Sequence, residues 1–328
     1  MVAIILFVGV IAYAVLGGAD FGSGVWDLTA GDAEKGGRLR RVIDHAIGPV
    51  WEANHVWLIF VLVVLWTGFP DAFAALMRTL AIPFWLAGLG IVLRGAGFAF
   101  RKFAPDLRFA RASGIVFAAS SLITPFFLGA IAGAVASGRV PIDGTGDIWT
   151  SWLNPTGILG GVMAIVTCTF LAGVFLAVDA EGLGQHELAE QLRRRSLIGG
   201  VITGAIALFG IVPLNADADR LFDGLTGRGA VLIVASALAG AATLWLLARR
   251  ELRLARITSV LAVASVVAGW GVAQYPWLLV DEVEIADAAA TSAVLTGLVV
   301  AFGVAVVVVV PPLVYLFVLA DTNRVGTE

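Results

Sequence analysis

The chain alternates between long, continuous apolar runs and short polar linkers. Nine such runs are bounded by charged residues or by Pro and Gly, at about residues 2–22, 50–69, 74–99, 113–136, 156–178, 197–214, 229–248, 255–275 and 290–319. A helix needs about twenty residues to cross about 30 Å of hydrocarbon, whereas membrane β-strands are short and alternate in polarity. The pattern predicts an all-α polytopic membrane protein with about nine transmembrane helices. Pro311 and Pro312 predict a kink or a tilt in the ninth.

Composition supports a membrane protein. The 328 residues are 59% hydrophobic and 14% charged, and the mean hydropathy is +0.96, whereas soluble domains are roughly 25% charged. All linkers are short, so we expect a single membrane domain over 1–328. Cys168 is the single cysteine, which leaves no disulfide framework, and HExxH and CxxC motifs are absent, so we expect no metal site. We also expect no nucleic-acid partner.

The basic residues indicate the topology. No Lys or Arg precedes the first apolar run, so we interpret it as a retained span and not as a signal peptide. Sixteen of the 21 basic residues, Arg324 included, lie after spans 1, 3, 5, 7 and 9. By the positive-inside rule the N-terminus is periplasmic and the C-terminus cytoplasmic. The linkers predicted to be outside contain only Arg78, Arg139, Arg220 and Arg228, with Arg78 near the outer end of span 3.

Few ionisable residues lie inside the predicted spans, and each is a candidate for function because burying a charge in a membrane is costly. Asp20 ends span 1, Arg94 lies near the inner end of span 3, and Glu52 and His55 share one face of span 2. One interpretation is a cytoplasmic proton path through Glu52, His55 and Asp20. The other is structural: Glu52 favours a helix N-terminus, and Arg94 pairs with Asp20. Further structural or path-lining candidates are Asn54, Trp51 and Trp57.

The inventory of possible haem ligands is poor. His45 and His186 fall in predicted cytoplasmic linkers, which leaves His55 as the intramembrane histidine. A six-coordinate haem usually takes two axial side chains at similar depth, and Met77 and Met163 lie near the outer side. We therefore expect no haem bound solely by this chain.

Several segments resemble subunit II of the cytochrome bd quinol oxidases. They are GGADFGSGVWDL (17–28), RRVIDHAIGPVWEANHVWLIFVLVVLWTGFPDAF (40–73), LRGAGFAFR (93–101), LNPTGILGGV (153–162) and VVVVVPPLVYLFVL (306–319). The most specific is Gly-Pro-x-Trp-[Asp/Glu]-x-Asn-x-Val-Trp-Leu, matched by residues 48–58. The resemblance implies two four-helix bundles plus one additional helix in the bacterial cytoplasmic membrane.

The resemblance also implies partners and roles. Subunit II acts with a subunit I that carries haem b and haem d type groups and the quinol site, and with a small accessory subunit in some members. The complex oxidises quinol and reduces oxygen to water. The family's proton-entry acid corresponds to Glu52 and its first-span acid to Asp20, while an acid of the third span in some members falls near Ala99, where it is missing. We also expect contact with membrane lipid.

Two other classes of protein stay open at this point. A secondary transporter also buries a few ionisable residues, but it typically places them near the membrane midplane and often contains an inverted repeat. Here the charges gather at one edge of the membrane and no repeat is evident. The other class is a purely structural assembly subunit.

Overall fold

The computed structural model describes residues 1–31, 33–48, 50–103 and 106–322. Arg324, used in the topology, and Pro49 of the second-span motif lie outside these residues. The described chain forms the helices α1 (Val2–Leu28), α2 (Ala33–Ile47), α3 (Trp51–Gly68), α4 (Pro70–Thr79), α5 (Ala81–Lys102), α6 (Leu107–Ala136), α7 (Pro155–Gly182), α8 (His186–Asp217), α9 (Asp219–Thr226), α10 (Ala230–Ala248), α11 (Leu252–Gln274) and α12 (Ser292–Thr322).

Nine of the described helices are long and apolar enough to cross a membrane: α1, α3, α5, α6, α7, α8, α10, α11 and α12. The predicted fold class and the number of spans are confirmed. The linker before α12 also contains an antiparallel hairpin, β1 (Trp277–Leu279) and β2 (Val283–Glu284), which the sequence pattern did not predict. Pro311 and Pro312 lie inside α12, which is one continuous helix.

The predicted third span is wrong at its outer end. The helix is interrupted at Phe69, and Pro70 starts the short helix α4. Leu80 separates α4 from the spanning helix α5. Proline is well tolerated at a helix start because its missing N–H would have no partner there. Arg78 therefore lies on α4, outside the span, where Gly144 packs against its side chain.

Several spans continue as helix into the predicted linkers. The apolar part of α8 was predicted at 197–214, but the helix begins at His186. Glu190 contributes to this extension, because its carboxylate pairs with Arg193 and Arg194 at 2.7 Å, the i,i+3 and i,i+4 spacings that stabilise an exposed helix.

The spans form two groups of four plus one peripheral helix. In the first group, α1 packs against α3 and α6, and α5 packs against α6; in the second, α7 packs against α8 and α11, and α10 packs against α11. The groups meet where α7 contacts α1 and α6, while α12 contacts mainly α3. This arrangement agrees with the predicted two bundles and additional helix.

Glycine brings the backbones of the two groups together. A Cβ at Gly22 of α1 would overlap the carbonyl oxygen of Cys168 on α7, and a Cβ at Gly129 of α6 would overlap that of Gly160. Small residues permit this approach of membrane helices. Since Gly22 is two residues from Asp20, the crossing of α1 and α7 fixes the position of that carboxylate.

Candidate functional site

A buried ion pair joins the C-terminal parts of α1 and α5. Arg94 Nη2 donates to Asp20 Oδ1 at 2.9 Å and to the Asp20 backbone oxygen at 2.7 Å. The two residues are 1% and 3% exposed. The guanidinium also lies over two aromatic rings, 4.7 Å from the centre of Phe117 and 5.3 Å from that of Phe21. The pairing that the sequence offered as a structural interpretation is present.

His55 of α3 lies beside this pair. Its Nε2 is 3.8 Å from Asp20 Oδ2, and its Nδ1 is 3.3 Å from the hydroxyl of Tyr13. Three aromatic rings surround the imidazole, with ring centres 5.5 to 6.5 Å away: Tyr13, Phe21 and Trp51. The histidine therefore links α3 to the acid of α1.

The cluster has unused hydrogen-bonding capacity. Within it, Asp20 Oδ2 and Arg94 Nε are buried and have no hydrogen-bond partner among the described residues; outside it, the same holds for the side-chain oxygens of Asn54 on α3 and Thr124 on α6. Buried polar atoms of this kind are normally satisfied by ordered water. Asp20 Oδ2 can therefore accept, and Arg94 Nε can donate, a further hydrogen bond.

A second charged layer lies two helical turns nearer the cytoplasmic end predicted from the sequence. Asp27 of α1 accepts hydrogen bonds from Arg101 of α5 and, at 2.7 Å, from Arg40 of α2; Arg101 also pairs with Asp44. The acids Asp20 and Asp27, like the arginines Arg94 and Arg101, are seven residues apart, so both layers lie on the same faces of α1 and α5.

Phe117 separates the two layers. Its ring lies 4.7 Å from the guanidinium carbon of Arg94 and 5.0 Å from that of Arg101, distances typical of cation–π contacts. Its side chain is completely buried. One ring from α6 thus contacts both arginines.

The structure brings some predicted residues together and leaves one apart. Asp20, His55 and Arg94 form the cluster, and Asn54 lies buried on the same helix as His55. Glu52 is exposed in the first turn of α3, and no described residue lies within hydrogen-bonding or ion-pairing distance of its carboxylate. Its predicted role in a proton path stays a prediction.

Two tryptophans of the second span, Trp51 and Trp57, pack near the cluster. Trp51 contacts His55 and Phe98, with ring centres 6.5 and 6.1 Å apart. Trp57 packs 6.0 Å from Phe60 and against the apolar group that contains Tyr13. Ala99 is exposed on α5, two residues before Arg101, so the charged groups near the position of the missing acid are those of the second layer.

Sequence reasoning missed Tyr13, Asp27 and Arg101 as parts of the site. Tyr13 gave no signal, because a single tyrosine in an apolar run is ordinary. Asp27 and Arg101 lie outside the predicted spans 2–22 and 74–99, although each follows an intramembrane charge by seven positions. That spacing was the available signal for a second layer.

The histidines of the described chain do not provide a pair of haem ligands. Both nitrogens of His55 face protein side chains, Tyr13 and Asp20. His45 lies on α2, and His186 begins α8 with its Nδ1 2.9 Å from Glu181. An axial ligand needs a free ring nitrogen and a second ligand at the same depth. His45 Nε2 is buried and has no hydrogen-bond partner among the described residues, but His45 lies on α2, which is not one of the spanning helices, whereas His55 lies on the spanning helix α3. The described residues contain no group of three or more metal-binding side chains.

The fold and the site define a polytopic α-helical membrane protein that buries a charged, aromatic-lined cluster at one end of its helices. The chain belongs to the family of cytochrome bd terminal oxidase subunit II, whose sequence model matches residues 1–320. The resemblance stated from the motifs is thereby confirmed. The family and the nine candidate spans place the protein in the bacterial inner membrane.

Curated relatives and a solved structure agree with this family. Cytochrome bd ubiquinol oxidase subunit 2 of Bacillus subtilis is 31% identical over 232 residues, 70% of this chain and 64% of that protein. Cytochrome bd-I ubiquinol oxidase subunit 2 of Escherichia coli is 26% identical over 63% of this chain and 56% of that protein. The chain thus spans less than two thirds of the length of these relatives. The bd oxidase from Geobacillus thermodenitrificans has the same fold, with a TM-score of 0.79, 24% identity and 95% of each chain covered.

Proposed function

We propose that this chain is subunit II of a quinol oxidase complex that couples quinol oxidation to the reduction of oxygen to water. The observation that carries the proposal is the family match over residues 1–320. Two relatives are named as subunits of ubiquinol oxidases, which supports a quinol as the substrate of the complex. In this proposal residues 1–328 form one membrane domain, with a periplasmic N-terminus and a cytoplasmic C-terminus.

The partner is a haem-bearing subunit I. A complex of this family needs haem b and haem d type groups, and the histidines described above do not fit a haem held by two side chains of this chain. We assign the haems and the quinol site to subunit I, and a small accessory subunit and membrane lipid complete the complex. This chain supports assembly and contributes protonatable side chains.

The proposed proton path begins at Glu52 and continues through His55 to Asp20. Glu52 is exposed at the start of α3, and His55 lies one turn further into the same helix. His55 Nε2 faces Asp20 Oδ2 at 3.8 Å, and that oxygen has no hydrogen-bond partner among the described residues. Water bridging this gap would let the imidazole and the carboxylate exchange a proton. The order of the three groups follows their depth from the exposed helix start.

Purification tests the partner. The tagged chain, extracted from membranes in mild detergent, should bring a haem-bearing subunit with it, and the preparation should consume oxygen when supplied with a quinol. A chain that emerges alone and without haem absorbance would contradict the proposed function.

Glu52→Gln tests the entry of the path, with Asp71→Asn as the matched control. Asp71 is also exposed in the first turn of a helix, α4, at the opposite end of the molecule, so both changes remove a similar favourable interaction with a helix N-terminus. We expect Glu52→Gln to lower oxygen consumption per assembled complex several-fold, Glu52→Asp to retain more of it, and Asp71→Asn to leave it unchanged. Equal rates in Glu52→Gln and the control would remove Glu52 from the path.

A further inference from the structure

A separate cleft, with apolar walls and a few charged side chains, lies at the other end of the helices. It encloses about 370 Å³ between α9, the end of α11 and the hairpin, and its walls include Leu221, Gly224, Ala273 and Trp277. α11 ends at Gln274, and the ring of Trp270 near this end contacts Phe7 of α1, thirteen residues before Asp20. The cleft is therefore distant from the Asp20 cluster along α1.

Two arginines on aromatic rings give the cleft its chemistry. Arg228 Nη2 donates to the backbone oxygen of Ala273 at 3.2 Å, and its guanidinium lies 5.8 Å from the ring centre of Tyr275. No described carboxylate pairs with Arg228, so most of the donors of its planar fork are available. Arg220 lies 5.7 Å from the ring centre of Trp277 and pairs with Asp281 at 2.5 Å.

The cleft also has one acidic wall. Asp223 lines it on the same short helix as Arg220. Its side chain is exposed and has no ion-pair partner among the described residues. The cleft thus presents the guanidinium of Arg228, the guanidinium of Arg220 with Asp281 paired to one of its nitrogens, and the carboxylate of Asp223. This combination suits a ligand that carries both signs of charge better than it suits a simple anion.

Close backbone packing holds the walls in place. A Cβ at Gly224 would overlap the backbone oxygen of Ala273, and one at Gly229 would lie 3.0 Å from the backbone oxygen of Gly224. The helix α9 is therefore pressed directly onto the end of α11. A cleft with fixed walls loses little conformational entropy when it binds a ligand.

The cleft lies at the level predicted for the boundary between the membrane and water. Three spans start or end beside it: α8 at Asp217, α10 at Ala230 and α11 at Gln274. Tyr275, which is 59% exposed, and Trp277 are aromatic residues of the type enriched at the level of lipid headgroups. A ligand in the cleft would share this depth with phospholipid headgroups of the leaflet predicted to be periplasmic.

We propose that this cleft binds the headgroup of a zwitterionic phospholipid of the phosphoethanolamine class. The guanidinium groups of Arg228 and Arg220 hold the phosphate, because the planar fork of arginine matches two phosphate oxygens. The carboxylate of Asp223 pairs with the ammonium group of the lipid and repels a free phosphate dianion. The acyl chains extend along the apolar surface of the helices beneath.

Lipid-dependent thermal stabilisation tests the site. The purified complex is titrated with dihexanoyl phosphatidylethanolamine, dihexanoyl phosphatidylglycerol and inorganic phosphate, and the thermal midpoint is followed. We expect stabilisation by phosphatidylethanolamine at the lowest concentration. Arg228→Gln should raise the half-saturating concentration by about tenfold, since it removes one charge-assisted contact. Asp223→Asn should abolish the preference for phosphatidylethanolamine over phosphatidylglycerol.

Arg249→Gln is the control, because Arg249 is also an exposed arginine above an exposed tryptophan, 5.3 Å from the ring centre of Trp245, but it does not line the cleft. It should leave all three titrations unchanged. If Arg228→Gln lowers the midpoint without ligand, Arg228→Lys supplies the test and should weaken binding less. Unchanged titrations in the Arg220→Gln/Arg228→Gln variant would overturn the site, and an equal response to inorganic phosphate would overturn the lipid as its ligand.

Discussion

Two ion pairs at opposite ends of the molecule differ in how completely their carboxylates are satisfied. At the end of α8, Asp217 accepts from Arg139 at 2.5 and 3.2 Å and from the amide and hydroxyl of Thr156 at 3.0 and 2.6 Å. In the C-terminal part of α1, Asp20 accepts side-chain hydrogen bonds only from Arg94 among the described residues, on one oxygen. The side chains of Arg139 and Asp217 are 34% and 14% accessible, whereas those of Arg94 and Asp20 are 2% and 1% accessible.

This difference separates a structural role from a chemical one. A carboxylate with four donors ties α7, α8 and the linker after α6 together and has little capacity left for a proton. The Asp20 carboxylate is deeper, keeps one oxygen without a hydrogen bond and faces His55. Burial with incomplete satisfaction is costly, and such sites in membrane proteins commonly serve function. The two roles can be tested by replacing, one at a time, the residues that form or position each carboxylate site.

The largest expected effect is that of Arg94→Gln. Removing one partner of a buried pair leaves an uncompensated charge, which typically costs about 3–5 kcal/mol. We expect a much lower yield of folded chain and a lower thermal midpoint in the detergent-solubilised complex. The double variant Asp20→Asn/Arg94→Gln removes both charges and should recover most of the stability without recovering oxygen consumption. A single variant as stable as the unmodified protein would show that Asp20 does not depend on Arg94.

A smaller loss is expected for Asp217→Ala. Its pair with Arg139 is partly exposed and contributes little by itself, but the amide and hydroxyl of Thr156 would lose their acceptor. Leaving buried donors unsatisfied costs about 1–3 kcal/mol. Asp217→Asn keeps an acceptor oxygen and should lose less. Thermal midpoints give the stability, and the oxygen consumption per assembled complex should be unchanged, in contrast to the Asp20 double variant. A change in the rate of oxygen consumption would contradict the assignment of a structural role to Asp217 and a chemical role to Asp20.

The backbone crossing that positions Asp20 gives the next prediction. Gly22→Ala would place a methyl group against the Cys168 carbonyl, and overpacking of this kind costs about 1–3 kcal/mol. Gly204 is the matched control: it is also a helical glycine, but a Cβ there meets nothing within 4 Å. Gly204→Ala should be neutral or stabilise by up to about 1 kcal/mol. Equal thermal midpoints for the two variants would mean that the crossing does not constrain α1.

The sequence predicts the parts of this molecule that depend on local pattern. Continuous apolar runs were enough for the nine spans, and the Asp20–Arg94 pair was among the interpretations open from spacing alone. The interruption at Phe69 was harder to predict. Pro70 marks the start of α4, but most residues of α4 are apolar, like those of the third span that follows. The contacts of His55 depend on the crossing of α1 and α3, which residue spacing within one helix does not specify.

The cleft beside α9 was not predicted for the same reason. In the sequence, Arg220 and Arg228 are only exceptions to the charge bias. Trp277 belongs to a hairpin whose strands have three and two residues, too short for a period-two pattern to stand out, and Tyr275 directly follows α11. The fold brings together residues from α9, the end of α11 and the hairpin. Only the tertiary structure joins these segments.

The smallest expected effect on stability is that of Tyr13→Phe. This variant best separates an effect on proton transfer at the Asp20 cluster from an effect on stability. The hydroxyl lies 3.3 Å from His55 Nδ1, a long hydrogen bond, and the aromatic contacts remain when it is removed, so we expect a loss below about 1 kcal/mol. If His55 relays protons to Asp20, however, losing the partner of Nδ1 changes which ring nitrogen carries the proton. Oxygen consumption should then fall while the thermal midpoint hardly moves, the reverse of the result for Asp217→Ala. A variant with both quantities unchanged would show that the contact between Tyr13 and His55 is only packing, and the proton path would then have to reach Asp20 without help from α1's tyrosine.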